Sequence, residues 1–261
     1  MLVEDPEDTI KAMCRFKETT LDWNRFKSTY EEIKQRATPV HEKHADTHFY
    51  SLSIYKLIIR PESAPRGTYK LSSIGKELCE CLGKSDMIRF KQILSNVLLN
   101  NPRKGQLFED FLSFVNKQEK RTRKEIYAQF KELPGRTLIA WSQSAGLIEA
   151  NRDFVWGLPQ KEREILTLEQ FREKLIEKYK AMSESEMLGI EKIFVEIGEL
   201  RQRICIDNSW SYKEFDGYLR RLLDSSFGER IRLYGAPSSV FAEMESFMYH
   251  ERLYIYLRIK V

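Results

Sequence analysis

Residues Arg121–Leu158 read RTRKEIYAQFKELPGRTLIAWSQSAGLIEANRDFVWGL, and the punctuation of this stretch decides the fold. Ile126, Tyr127 and Phe130 fall at helical spacing in Arg121–Phe130. Thr122-Arg123-Lys124-Glu125 has the spacing of a capping box, in which a hydroxyl and a carboxylate each satisfy a backbone N–H of the first turn. Leu133-Pro134-Gly135 is expected to break this helix. A second helix over Arg136–Ala145 turns Leu138, Ile139 and Trp141 inward, and Gly146 is placed to end it in a left-handed conformation. Leu147-Ile148 and Phe154-Val155-Trp156 then bracket a turn at Ala150-Asn151-Arg152-Asp153, which predicts a hairpin.

The same order of events is expected on either side. Upstream, Gln106–Asn116 carries Leu107, Phe108, Phe111, Leu112, Phe114 and Val115 as one apolar stripe, an amphipathic helix leading into the stretch. Nearer the N-terminus, Trp23–Arg36 and Asp46–Tyr55 read as helices separated by Thr38-Pro39. Leu57-Ile58-Ile59 and Thr68-Tyr69-Lys70-Leu71 bracket a charged loop, Arg60–Gly67, and helices over Ser73–Leu82 and Met87–Leu99 follow. Downstream, helices are expected over Leu168–Met182, Ile197–Cys205 and Tyr212–Leu223, the last capped from Ser209-Trp210-Ser211. Strands are expected at Arg230–Tyr234 and Leu253–Ile259, with a short helix inside Gly235–Glu251. The fold class is therefore α+β and mostly helical, in three consecutive modules over residues 1–84, 85–166 and 167–261.

With 42% hydrophobic residues and few breakers (12 Gly and 8 Pro), the chain has enough apolar material for real cores and is not disordered. No apolar run is long enough for a membrane span, and Met1–Ile10 is acidic rather than signal-like, so a cytoplasmic protein with no membrane partner is expected. Cys79-Glu80-Cys81 is too tightly spaced for a zinc knuckle, and the four cysteines are expected to be ordinary thiols. The formal charge of +4 decides little, but its distribution is uneven. Between Lys117 and Arg136, the basic Lys117, Lys120, Arg121, Arg123, Lys124, Lys131 and Arg136 outnumber Glu119, Glu125 and Glu132, an excess able to steer a polyanion or simply to be a solvated face.

Two runs resemble the winged-helix superfamily, particularly the tandem arrays of prokaryotic DNA-binding proteins. Gly135-Arg136-Thr137-Leu138-Ile139-Ala140-Trp141-Ser142-Gln143-Ser144-Ala145-Gly146-Leu147-Ile148 is similar to that family's recognition helix entering its wing. Gly67-Thr68-Tyr69-Lys70-Leu71-Ser72-Ser73-Ile74-Gly75-Lys76 resembles its second wing strand and trailing helix. The resemblance implies double-stranded DNA as partner, with a recognition helix in the major groove and the wing on backbone or minor groove. It makes Arg136, Thr137, Ser142, Gln143 and Ser144 solvent-facing base or phosphate contacts, and puts Arg121, Arg123 and Lys124 near phosphates and Arg152 at the wing tip. In the first module Thr47, His48, Ser51, Arg60 and Arg66 take the analogous places. A regulator and a target-recognition subunit of a DNA-handling or defence system both fit. So does a scaffold that positions a nuclease or motor partner in a larger complex without touching DNA.

Signs of chemistry are weak, and neither catalysis nor a cofactor is expected. His41, His44 and His48 would share one helical face, a conceivable metal site, but no cysteine pair completes it. Glu32-Ile33-Lys34 has the text of a nuclease motif but lies in a helical stretch without a strand partner. Neither a Gly-rich phosphate loop nor a Gly-x-Ser-x-Gly elbow occurs. Trp210, Tyr249, Tyr254 and Tyr256 could stack on single-stranded bases or fill a small β core.

Overall fold

The computed structural model describes residues 6–16, 20–34, 42–60, 67–101, 103–158, 165–184, 194–235 and 246–260. The chain is α+β and mostly helical, and it divides into two compact units, Met1–Gln160 and Lys161–Val261. Among the described residues no helix is long and apolar enough to cross a membrane.

The first unit opens with α1 (Pro6–Cys14), α2 (Trp23–Lys34), α3 (Glu42–Ile54), β1 (Ile58–Ile59) and β2 (Lys70–Leu71). It continues with α4 (Ser73–Gly83), α5 (Met87–Leu99), α6 (Gly105–Asn116), β3 (Arg121–Thr122), α7 (Arg123–Phe130), α8 (Glu132–Ser144), β4 (Ile148–Ala150) and β5 (Phe154–Gly157). The helix starts follow local chemistry. Ser72 caps α4 by accepting from the Gly75 N–H at 3.0 Å, and Asp86 caps α5 by accepting from Arg89 N–H at 3.0 Å. Thr122 and Glu125 form the full capping box of α7.

The break before α8 lies at Lys131, which takes φ 63°, and not at Leu133-Pro134-Gly135. Pro134 sits in the first turn of α8, where a missing N–H costs nothing because first-turn donors have no helical acceptor. Gly146 adopts φ +68° just past the end of α8, the conformation its sequence position demanded.

The second unit holds α9 (Leu168–Glu184), β6 (Val195–Glu196), α10 (Ile197–Asn208), α11 (Tyr212–Leu223), β7 (Ile231–Tyr234), β8 (Phe247–Tyr249), β9 (Arg252–Tyr254) and β10 (Tyr256–Ile259). Leu253–Ile259 is two strands rather than the expected one. Ile255 donates its N–H to Tyr234 and accepts from Ile197, so β9 pairs with β8 while β10 pairs with β6 and β7. Phe247–Tyr249 is strand, and the rest of the short helix expected near there falls largely outside the described residues. The core gathers Phe171, Leu175, Trp210, Phe215, Leu219 and Leu257 between the helices and one sheet face.

One connectivity recurs. In the middle of the first unit, α6 leads to edge strand β3, then α7, α8, β4 and β5, with strand order β3-β5-β4. In the second unit, α9 leads to edge strand β6, then α10, α11, β7 and β10, with order β6-β10-β7. The registers correspond residue for residue: Arg121 faces Val155 and Thr122 faces Phe154, as Val195 faces Leu257 and Glu196 faces Tyr256. The next N–H behaves alike, Arg123 donating to Asp153 and Ile197 to Ile255. At the N-terminal end α1, a bridge from Leu21 to Tyr69, α2, α3, β1 and β2 follow the same order.

The boundary expected between residues 84 and 85 lies inside the first unit, between α4 and α5, which pack on each other. Tyr55, just past α3, packs against Phe108 and against Trp141 (ring centroids 6.2 and 4.6 Å), and Asn101 donates to the Ile54 carbonyl at 2.8 Å. Cys14 and Cys79 form a disulfide between α1 and α4, with Cα atoms 5.3 Å apart, which corrects the expectation of four unpaired thiols. Cys81 and Cys205 are free and buried.

Candidate nucleic-acid interface

Arg123, Arg136, Gln143 and Arg152 line one open cleft of about 370 Å³, floored by Ile139 and Ala140. Three elements build it. The start of α7 supplies Arg123, one face of α8 supplies Arg136 and Gln143, and the tip of the β4–β5 hairpin supplies Arg152. The spacing of Arg136, Ile139, Ala140 and Gln143 is that of a single helix face, so α8 presents them together.

The hairpin tip is held in place. Arg123 Nε donates to the Asn151 carbonyl at 2.9 Å, and Asn151 Oδ1 accepts from the N–H groups of Asp153 (3.0 Å) and Phe154 (2.8 Å). Gln143 reaches across to the hairpin too, its amide nitrogen 3.4 Å from the Ala150 carbonyl. Arg136 forms an ion pair with Glu132 at 2.6 Å and lies over the Tyr127 ring. Arg152 is exposed and makes no ion pair among the described residues. Lys124 is exposed on α7 outside the cleft lining.

Other candidates are placed differently. Arg121 is buried rather than near solvent, because its position on β3 alternates onto the core face. Its Nε donates to the Phe114 carbonyl at 3.2 Å, its guanidinium lies 4.3 Å over the Phe114 ring, and Nη1 pairs with Glu125 at 3.5 Å. Ser142, expected to face solvent, is 0% exposed beside Trp141. Thr137 is half-buried and donates to the Leu133 carbonyl, and Ser144 is half-buried at the end of α8.

In the first stretch His48 and Ser51 turn inward instead of outward. His48 sits between Thr9 Oγ1 (2.7 Å to Nδ1) and the Tyr30 hydroxyl (3.2 Å to Nε2), which removes it from the expected His41, His44 and His48 face. Arg60 is exposed after β1. Thr47 lies on α3, but its side chain falls outside what is described, as do the side chain of His44 and residues 41 and 66. Among the described residues no group of three metal-ligating side chains occurs.

Glu125 is the one titratable group here with a resolved shift. The Thr122 backbone N–H, then the Thr122 hydroxyl, and the nearby Arg121 hold its carboxyl below the usual range. Asn151 and Tyr127 shape the cleft without having been singled out from sequence. The asparagine was legible as a turn residue, but its service to Arg123 depends on strand pairing. No family model matches the chain, and no match is found among curated proteins or solved structures.

Proposed function

We propose that residues 105–158 form a winged helix that binds double-stranded DNA without chemistry, α8 being the recognition helix and the β4–β5 hairpin the wing. The observation that carries this reading is the convergence of Arg123, Arg136, Gln143 and Arg152 on one open cleft between that helix and that wing. Guanidinium groups are bidentate partners for phosphate, and a concave basic surface concentrates a polyanion. The recurrent strand order supports three such modules in tandem, of which the middle one is the DNA-binding module. Residues 1–160 carry 26 basic and 21 acidic side chains, +5 in all, against 17 and 18 beyond them, so the excess lies on the cleft's side of the chain.

Backbone contact is favoured over base reading. Arg136 is neutralised by Glu132, Gln143 is engaged with the hairpin, and Ser142 is buried, so the groups that could read base edges are committed within the protein. A role as a regulator or as a target-recognition subunit of a DNA-handling assembly follows from this binding.

Duplex binding measured across a salt series tests it: log affinity should fall with log salt at a slope of about −2, one unit each for Arg123 and Arg152. No duplex binding at low salt would sink the proposal. It would favour a protein scaffold instead, which the exposure of Leu133 (57%) and Phe154 (41%) on the same module supports.

A further inference from the structure

The helices of the second unit cover one face of the β6-β10-β7 sheet, where Val195, Leu257, Ile231 and Ile259 are buried. Strand alternation assigns the opposite face to the residues between them. Tyr234 lies directly across from Tyr256 and Arg232 directly across from Arg258, while Glu196, an exposed acid on the same face, lies across from Tyr256 on its other side. Lys260 continues the alternation on the same side, and Phe194, just before β6, meets Tyr234 edge to face with ring centroids 4.7 Å apart. Phe194 (43%) and Tyr234 (37%) are exposed large hydrophobic residues.

Two features set this face apart. First, Arg232, Arg258 and Lys260 make no ion pair among the described residues, although like charges directly opposite on a sheet repel. An anion laid across them would relieve that repulsion. Second, the topology does not require such a surface. The matching face of the β3-β5-β4 sheet carries Thr122, Phe154, Glu149 and Trp156, with Lys120 over the Trp156 ring as its cation.

We infer that this sheet face is a second binding site, for a single-stranded polynucleotide. Flat rings interleaved with guanidinium groups suit that ligand: bases stack on the aromatics while the backbone phosphates meet Arg232, Arg258 and Lys260. A duplex keeps its bases stacked on one another and has no use for the rings. An acidic protein would meet the charges but has no planar groups for Phe194 and Tyr234. The site is independent of the α8 cleft.

The test uses the full chain with fluorescent oligothymidylate, oligouridylate, an abasic oligomer of equal length and polyglutamate. Both base-bearing oligomers should bind, and the comparison between them tells a DNA site from an RNA site. The abasic oligomer and polyglutamate should bind more weakly. Tyr234→Ala should weaken oligothymidylate binding about 5- to 150-fold, the range for one lost stacking interaction, and Tyr234→Phe should leave it within about 2-fold. Arg232→Glu should weaken every ligand, whereas Arg123→Ala, in the α8 cleft, should affect duplex binding and leave the single-strand affinity unchanged. Equal affinity for polyglutamate together with indifference to Tyr234→Ala would overturn the inference in favour of an acidic protein partner. Absence of single-strand binding, or its loss through Arg123→Ala, would overturn it as well.

Discussion

The Arg123 guanidinium donates from Nε to the backbone carbonyl of Asn151 at 2.9 Å, which fastens the first turn of α7 to the tip of the β4–β5 hairpin. The Arg123 N–H reinforces this by donating to the Asp153 carbonyl at 3.0 Å. A wing held from both sides keeps Arg152 at a fixed place relative to α8. Arg123 therefore serves the cleft both as one of its cations and as the brace that shapes it.

Arg123→Ala should lower duplex affinity and reduce the salt slope by about one unit. Asn151→Ala separates the two roles, since it removes the turn acceptor for Asp153 and Phe154 and no charge. Its affinity should fall while the slope stays at the wild-type value. A slope that drops equally in both variants would contradict a bracing role for the turn.

Arg152→Ala should be silent in folding and visible in binding. The side chain is exposed and has no ion pair among the described residues, so its loss should move stability by no more than about 0.5 kcal/mol. Duplex binding titrated at several salt concentrations should lose about one unit of slope. An unchanged slope would remove the hairpin tip from the interface.

Arg121→Ala should behave in the opposite way. Its guanidinium packs on the Phe114 ring and is bonded to the Phe114 carbonyl, so truncation removes that packing and leaves a part-buried acceptor unmet, at a cost of about 1 kcal/mol. Urea unfolding reads that loss directly. With the fold retained, the salt slope should match wild type. A lower slope would return Arg121 to the phosphate contacts its sequence position suggested.

Arg121 also shows where sequence reading stops. The capping box at Thr122, a cap within Ser209-Trp210-Ser211 and the left-handed Gly146 were legible because each is set by residues within a few positions. Edge strands β3 and β6 were not, because two residues carry no periodicity and their partners, Val155 and Leu257, lie far along the chain. Reading Arg121 as the start of a helix placed it near phosphates, whereas pairing with Val155 turns it into the core. Ser142, His48 and Ser51 failed for a related reason. A polar side chain on a helix reads as outward until tertiary packing supplies a buried place, as Thr9 and Tyr30 do for His48. Arg123, Arg136, Gln143 and Arg152 were recognisable by type, but their meeting in one cleft required the hairpin to fold back beside α8.

The Glu125 carboxylate should make stability pH-dependent. Hydrogen bonds from Thr122 and the charge of Arg121 lower its native pKa, so the folded state holds fewer protons there than the unfolded state in the acidic range. The stabilisation is fully present above the ordinary carboxylate range and is lost as pH falls through the lowered native value. Glu125→Gln should therefore flatten the acid limb of a stability-versus-pH curve while changing little of its shape at neutral pH. An acid limb identical in the two proteins would show that this carboxylate is not linked to folding.

The disulfide joins Cys14 of α1 to Cys79 of α4 across a sequence separation of 65 residues, enclosing α2, α3, β1 and β2. A cross-link over a loop of that length restricts the unfolded chain, an effect of about 4 kcal/mol in the chain-entropy picture. Cys14→Ser with Cys79→Ser should lower the urea midpoint by that equivalent, and a reducing agent should do the same to the wild-type protein and nothing further to the variant. The α8 cleft contains no cysteine, so duplex binding by the folded, reduced protein should be retained. Loss of duplex binding on reduction below the unfolding transition would instead make the N-terminal helices part of the DNA-binding surface.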